Sequence, residues 1–98
     1  MVGLFVRFDI RDEVSARRFD ELTAAAVTQI TAHEPGTLVY ATHTVADEPL
    51  SRVFYELYAD EAAFQAHITA PHSAVFNGDL ADFIEGAGST LTWLTPTT

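Results

Sequence analysis

The 98 residues are enough for one domain, read here as spanning 1–98, and 14 acidic side chains against five basic ones leave a formal net charge of −9. The five basic residues are all arginines (Arg7, Arg11, Arg17, Arg18, Arg52), and cysteine is absent. That excludes a phosphate-neutralising nucleic-acid binder, attraction to an anionic membrane, Schiff-base chemistry on lysine, disulfides and any thiolate metal site or nucleophile. The N-terminus enters an alternating apolar pattern without a basic leader region. No apolar run approaches the roughly 20 residues of a membrane span, so a cytoplasmic protein is expected. Hydrophobic residues make up 48% of a chain too short for a thick core. A second subunit would give that surplus somewhere to pack.

Residues 2–10 alternate with period two. Val2, Leu4, Val6, Phe8 and Ile10 form one face of a strand, and Gly3, Phe5, Arg7 and Asp9 the other. Asp12 caps a helix over 13–32, with Glu13 favourable in its first turn. Phe19, Leu22, Ala26 and Ile30 lie on one side of it. His33-Glu34-Pro35-Gly36 ends that helix.

Residues 37–46 form a second strand, Asp47-Glu48-Pro49 a turn, and residues 51–59 a third strand. The faces of the third strand are Val53, Tyr55, Leu57 and Phe54, Glu56, Tyr58. Asp60 caps a helix over 61–69, in which Phe64, His67 and Ile68 share a side. Thr69 is the expected cap of a further helix over 71–84, with Pro71 in its first turn. That helix turns Val75, Phe76, Leu80, Phe83 and Ile84 inward, and Gly86 and Gly88 end it. Residues 89–95 are the last strand, with Leu91 and Trp93 on one face.

The order βαββααβ is the α+β, ferredoxin-like layout: a four-stranded antiparallel sheet with its helices on one face. The uncovered face carries apolar residues on the first and third strands. A twofold-related sheet packed against it, giving a dimeric α+β barrel, is the expected solution.

Four stretches carry a family resemblance: Glu34-Pro35-Gly36, Tyr55-Glu56-Leu57-Tyr58-Ala59-Asp60, Ala63-Phe64-Gln65-Ala66-His67 and Ala70-Pro71-His72. In this order, over residues 2 to about 95, the chain resembles the antibiotic biosynthesis monooxygenase family of the dimeric α/β barrel superfamily. The resemblance implies a homodimer with a cavity between sheet and helices in each subunit. It also implies oxidation of a quinol, anthrone or related phenolic small molecule with O2, without metal, flavin or other cofactor. Other members of the family are isomerases or haem-degrading enzymes. The haem-degrading type fits less well. Its first-strand asparagine is absent, where this chain has Arg7 and Asp9, and its middle-helix tryptophan is missing.

The candidate catalytic residues are His67, His72 and Glu56. Glu56 lies in mid-strand between aromatics, a costly place for an unpaired charge. It is read either as a polar group at the pocket wall or as the structural partner of Arg7. His67 faces inward and is the preferred general base, with a hydrogen-bonded structural histidine as the alternative. His72 opens the third helix, at the cavity mouth or in solvent. Tyr58, Phe64, Phe76, Asn77 and Arg7 are the candidate substrate-binding residues. Tyr40, Phe54 and Trp93 are weighed with them, core packing being the commoner role. His33 and His43 are placed on the surface. No zinc site is expected, because His33, His43, His67 and His72 lack an HExxH-like spacing. An isomerase or epimerase using His67 and Glu56, and a non-catalytic small-molecule-binding dimer, are the alternative functions.

Overall fold

Alternation and capping give the elements in the predicted order, with the starts of the third and fourth strands and the end of the third helix displaced. The computed structural model describes residues 1–84 and 89–98. Its elements are β1 (Val2–Ile10), α1 (Glu13–His33), β2 (Thr37–Val45), β3 (Glu48–Tyr58), α2 (Glu61–Thr69), α3 (Pro71–Leu80) and β4 (Ile84–Leu94). The sheet order is β2-β3-β1-β4, with all neighbours antiparallel. This is the expected α+β, ferredoxin-like arrangement. No helix among the described residues is long and apolar enough to cross a membrane.

The caps are those expected at two helix starts. Asp12 accepts from Ser15 N at 2.8 Å, and Asp60 from Ala63 N at 2.8 Å. Each satisfies an amide that has no partner inside its helix. The third start differs. Ala70, not Thr69, is the N-cap of α3 and makes no side-chain cap bond. The Thr69 hydroxyl instead donates back to Gln65 O at 2.8 Å, closing the end of α2.

The hairpin between β2 and β3 is tighter than expected. Val45 pairs with Glu48, leaving Ala46 and Asp47 to turn, and β3 starts three residues early. Asp47 takes φ 64, a left-handed conformation that aspartate tolerates better than most residues.

The third helix ends at Leu80, four residues before the expected limit. Asp82 N and Phe83 N donate to Asp79 O and Leu80 O, closing a turn. Ile84 then enters β4 opposite Ile10. Helical spacing and strand entry both bury Ile84, so its hydrophobicity did not discriminate between them. Val75 is 60% exposed rather than inward, because α3 buries Ser73 and Phe76, three apart, and Val75 lies off that line. The helix end expected at Gly86 and Gly88 lies outside the described residues.

Leu4, Val6, Phe8, Phe54 and Tyr58 point from the sheet toward the helices and are buried with Ala16, Phe19, Ala26 and Phe76. The Phe8 ring lies 4.8 Å from Phe54 and 5.1 Å from Phe19 in tilted and edge-on contacts. Such pairs contribute about 0.5–1.5 kcal/mol each beyond burial. The other sheet face carries Phe5, Val53, Tyr55, Leu57 and Leu94, with Arg7 at one side. Phe5 is 40% exposed and has no helix above it.

Candidate functional site

The α1–β2 link sets the site. Glu34 is the C-cap of α1, and its amide donates to Ile30 O at 2.9 Å. Gly36 follows two residues later, where the chain crosses close to α2. A Cβ on Gly36 would stand 2.5 Å from the Ala63 Cβ, so only glycine permits this approach. Gly36 O also accepts from Ala59 N at 2.9 Å, just before α2 begins. The C-terminal end of α1 and the body of α2 are thereby held together, with Glu34 facing His67.

His67 Nδ1 lies 2.9 Å from Glu34 Oε1 and 3.1 Å from Oε2. His72 Nε2 bonds to Glu34 Oε2, so one carboxylate joins both imidazoles. The Thr37 hydroxyl donates to Glu34 Oε1 at 2.7 Å. Buried Ser73 donates to His67 O at 2.6 Å, which ties the start of α3 to the end of α2 and fixes His72 beside His67. Beyond His67, Nε2 stands 3.9 Å from Glu56 Oε1, and Tyr58 donates its hydroxyl to that same oxygen at 2.5 Å.

Charge follows from this geometry. Burial pushes the Glu34 carboxyl up, but hydrogen bonds from Thr37, His72 and His67 outweigh it, so Glu34 lies below the usual carboxylate range. It is the ionised acceptor, and each histidine donates to it. Burial pulls His67 below its ordinary value, more than the Glu34 carboxylate raises it. His67 is therefore a neutral ring with Nδ1–H on Glu34 and a free Nε2 lone pair. Burial lifts Glu56 to about 7, opposed by the Tyr58 bond and reinforced by the Glu34 charge. The Tyr40 and Tyr58 phenols are raised by burial first and then by the charge of Glu56, so both stay protonated.

A cavity of about 200 Å³ opens between sheet and helices, lined by Glu56, His67, His72, Phe64, Phe76 and Asn77 together with Tyr40 and strand residues. A wider groove of about 670 Å³ lies outside it between α1 and α3, and His72 and Phe76 line both. The smaller cavity is the candidate site, because, unlike the groove, it is lined by the His67 ring and the buried Glu56 carboxyl together.

Of the expected site residues, His67, His72, Glu56, Phe64, Phe76 and Asn77 are brought together at this cavity. Tyr58 is fully buried behind its wall and reaches it through Glu56. Arg7 is on the opposite face of the sheet, bonded to Glu48 at 2.8 Å, Ser51 at 3.0 Å and Asp9 at 3.3 Å. The ion pair between Arg7 and Glu56 does not form. Glu56 pairs with Leu4 on the helix side, whereas Arg7 pairs with Val53, three residues along and therefore on the opposite face. His33 and His43 are exposed, as expected. Phe54 is core, and Trp93 is 58% exposed with its ring against Phe64.

Glu34 is the member of this cluster that the sequence reading passed over. Its signal was present: an acid at a helix C-terminus opposes the helix dipole, so some other interaction must hold it there.

The family profile for antibiotic biosynthesis monooxygenase matches residues 1–78. The chain belongs to the antibiotic biosynthesis monooxygenase family. No curated protein matches it at a significant level. Solved structures do. A Bacteroides thetaiotaomicron protein assigned to the antibiotic biosynthesis monooxygenases is 25% identical with a TM-score of 0.88, covering 99% of this chain and 90% of its own. Rv0793 from Mycobacterium tuberculosis is 24% identical with a TM-score of 0.87, covering 99% and 95%. SnoaB, a cofactor-independent oxygenase from Streptomyces nogalater, is 20% identical with a TM-score of 0.80, covering 99% and 93%. Family membership and fold together give the chain a monooxygenase-type scaffold.

Proposed function

We propose that the protein is a homodimeric, cofactor-independent monooxygenase that oxidises a quinol, anthrone or related phenolic molecule with O2. The observation that carries this reading is His67. Its Nδ1–H is held by a buried carboxylate and its Nε2 faces a small cavity walled by Phe64, Phe76 and Tyr40. A neutral imidazole oriented by a carboxylate is equipped to act as a general base. SnoaB supports the reading as a fold relative that works without a cofactor.

His67 Nε2 takes the acidic proton of the bound substrate. The resulting anion is electron-rich enough to pass an electron to O2, and recombination at carbon forms a peroxide. Loss of water from that peroxide leaves a carbonyl. The balance is one CH2 of an anthrone, or its tautomeric phenol, plus O2 giving C=O plus H2O. The substrate is oxidised, one oxygen atom enters it and the other leaves as water. Glu56, at about 7, is positioned to exchange a proton with the peroxide. The apolar wall excludes bulk water from the anion. The uncovered apolar sheet face around Phe5, Tyr55 and Leu57 supports the homodimer.

The test is O2 consumption by metal-free, flavin-free protein across a panel of anthrones and naphthoquinols, with His67→Ala as control. Consumption at the level of the control on every substrate rules the reading out. The 3.9 Å separation of His67 and Glu56 also suits proton transfer between two carbons of an isomerase substrate. Turnover without oxygen would favour that second reading.

A further inference from the structure

Three elements deliver one ligating side chain each to a single point. Glu34 comes from the C-cap of α1, His67 from the last turn of α2 and His72 from the first turn of α3. One donor atom from each lies within 4.8 Å of the other two. His67 Nδ1 is 2.9 and 3.1 Å from the two Glu34 oxygens, and His72 Nε2 touches the second of them. Ligands bound at about 2.0–2.1 Å from a zinc-class ion stand about 3 Å from one another. The His67–Glu34 pair already has that spacing, and all three donor atoms fall within 4.8 Å of one another. Two imidazoles and a carboxylate suit zinc and its late first-row neighbours, whereas magnesium and calcium prefer oxygen alone.

Two further observations point to a cation. The Glu34 side chain, an ionised carboxylate, is only 5% exposed. Arg7 and Arg52 are committed to Asp9, Glu48 and Asp20, so the arginines of the sheet do not neutralise it. A divalent ion would. The surrounding groups also have the arrangement of an outer shell. Thr37 orients Glu34 by its 2.7 Å bond, and His67 Nε2 points at Glu56 across 3.9 Å. Metal-bound histidines commonly donate their other ring N–H to a carboxylate in this way.

We propose that Glu34, His67 and His72 bind one divalent cation of the zinc class per chain, through a Glu34 carboxylate oxygen, His67 Nδ1 and His72 Nε2. Binding at Nδ1 moves the His67 proton to Nε2, where Glu56 accepts it once the gap closes by about 1 Å. His67 then has no lone pair facing the cavity. The cation therefore suppresses the proton abstraction of the oxygenase reaction; this suppression rests on the functional reading above, and the binding itself does not.

The experiment uses the full chain, stripped with chelator and titrated with Zn2+ by calorimetry and with Co2+ by visible absorption. One ion per chain is expected, with micromolar or tighter affinity and the intense d–d bands of a four- or five-coordinate cobalt site. His67→Asn and His72→Asn each weaken binding about 100-fold or more, Glu56→Gln weakens it about tenfold, and His43→Ala, remote on the sheet, leaves it unchanged. Circular dichroism establishes that each variant is folded. Should one histidine variant fail to fold, the other and the cobalt spectrum decide. Absence of binding at sub-millimolar ion, or binding undiminished by the histidine variants, overturns the site. O2 uptake abolished by one equivalent of zinc and restored by chelator supports the suppression, and uptake unaffected by bound zinc overturns it. A chain with no O2 uptake on any substrate fails the functional reading instead, and calorimetry still decides the site.

Discussion

His67 Nδ1 stands 2.9 Å from Glu34 Oε1, although 33 residues separate the two in the chain. The carboxylate holds the ring in one tautomer and leaves Nε2 free toward the cavity. Replacing it with an amide in Glu34→Gln keeps the shape and removes the charge. One carboxylate oxygen becomes an NH2 donor, so the histidine facing it must lose its bond or switch tautomer, and His67 is no longer held by a charge. The expected result is a fall in kcat of about 10²-fold, of the order a general base contributes, with KM little changed. An equal rise in KM instead would make Glu34 a binding group rather than a positioning one.

Gly36 makes that contact possible. A methyl at this position would meet the Ala63 Cβ at 2.5 Å, and both neighbours are anchored by backbone bonds. Gly36→Ala must push α2 away from the end of α1, which is overpacking of a closed site. A destabilisation of about 1–3 kcal/mol is expected in urea unfolding. Activity should fall further than stability, because the Glu34–His67 distance opens. Ala63→Gly in the same chain removes the clash and should recover both, which separates the steric cause from any effect of the alanine itself.

The first two strands and the first two helices were legible because their signals are local. Period-two alternation in residues 2–10 and the caps at Asp12 and Asp60 each need only a few neighbouring residues. The end of α3 was not legible. Phe76, Leu80, Phe83 and Ile84 have helical spacing, and only the pairing of Ile84 with Ile10 makes it a strand residue. The site divides in the same way. His67, His72 and Glu56 stood out as polar groups among apolar ones. Arg7 was read as a substrate-binding residue and as a partner for Glu56, and the pleat places it on the opposite face of the sheet. Glu34 needed the close approach at Gly36, a tertiary fact, before its role was visible.

Glu56 gives the protein a pH-dependent stability. Its folded value of about 7 lies above the ordinary 4.5, since burial disfavours the charged form. Folding therefore favours the protonated acid. The contribution is fully present below 4.5, declines as the unfolded chain loses its proton and is gone above about 7. Glu56→Gln cannot ionise and escapes this loss. The variant should gain stability over the parent between acid and mildly alkaline solution, by up to about 3 kcal/mol across the window. The check is the difference in urea midpoint between the two proteins at pH 4 and pH 8, followed by Trp93 fluorescence. A constant difference across that range would mean that Glu56 titrates normally.

The uncovered sheet face carries the last prediction. Phe5, Tyr55 and Leu57 lie side by side on β1 and β3, with Leu94 next to Gly3 on β4. Phe5 and Leu94 are 40% and 38% exposed in the single chain. Water against such a patch is unfavourable by about 25 cal/mol per Å² of apolar area, so a second sheet should cover it. Sedimentation should find a dimer at micromolar concentration. Leu57→Asp places a carboxylate at the centre of the patch, and its twofold copy would face it across the interface. The buried, unpaired charges cost several kcal/mol, enough to give monomers. Arg11→Ala, an exposed change beyond the end of β1, should leave the dimer intact. A parent chain that sediments as a monomer at every concentration would show that this face needs no partner copy.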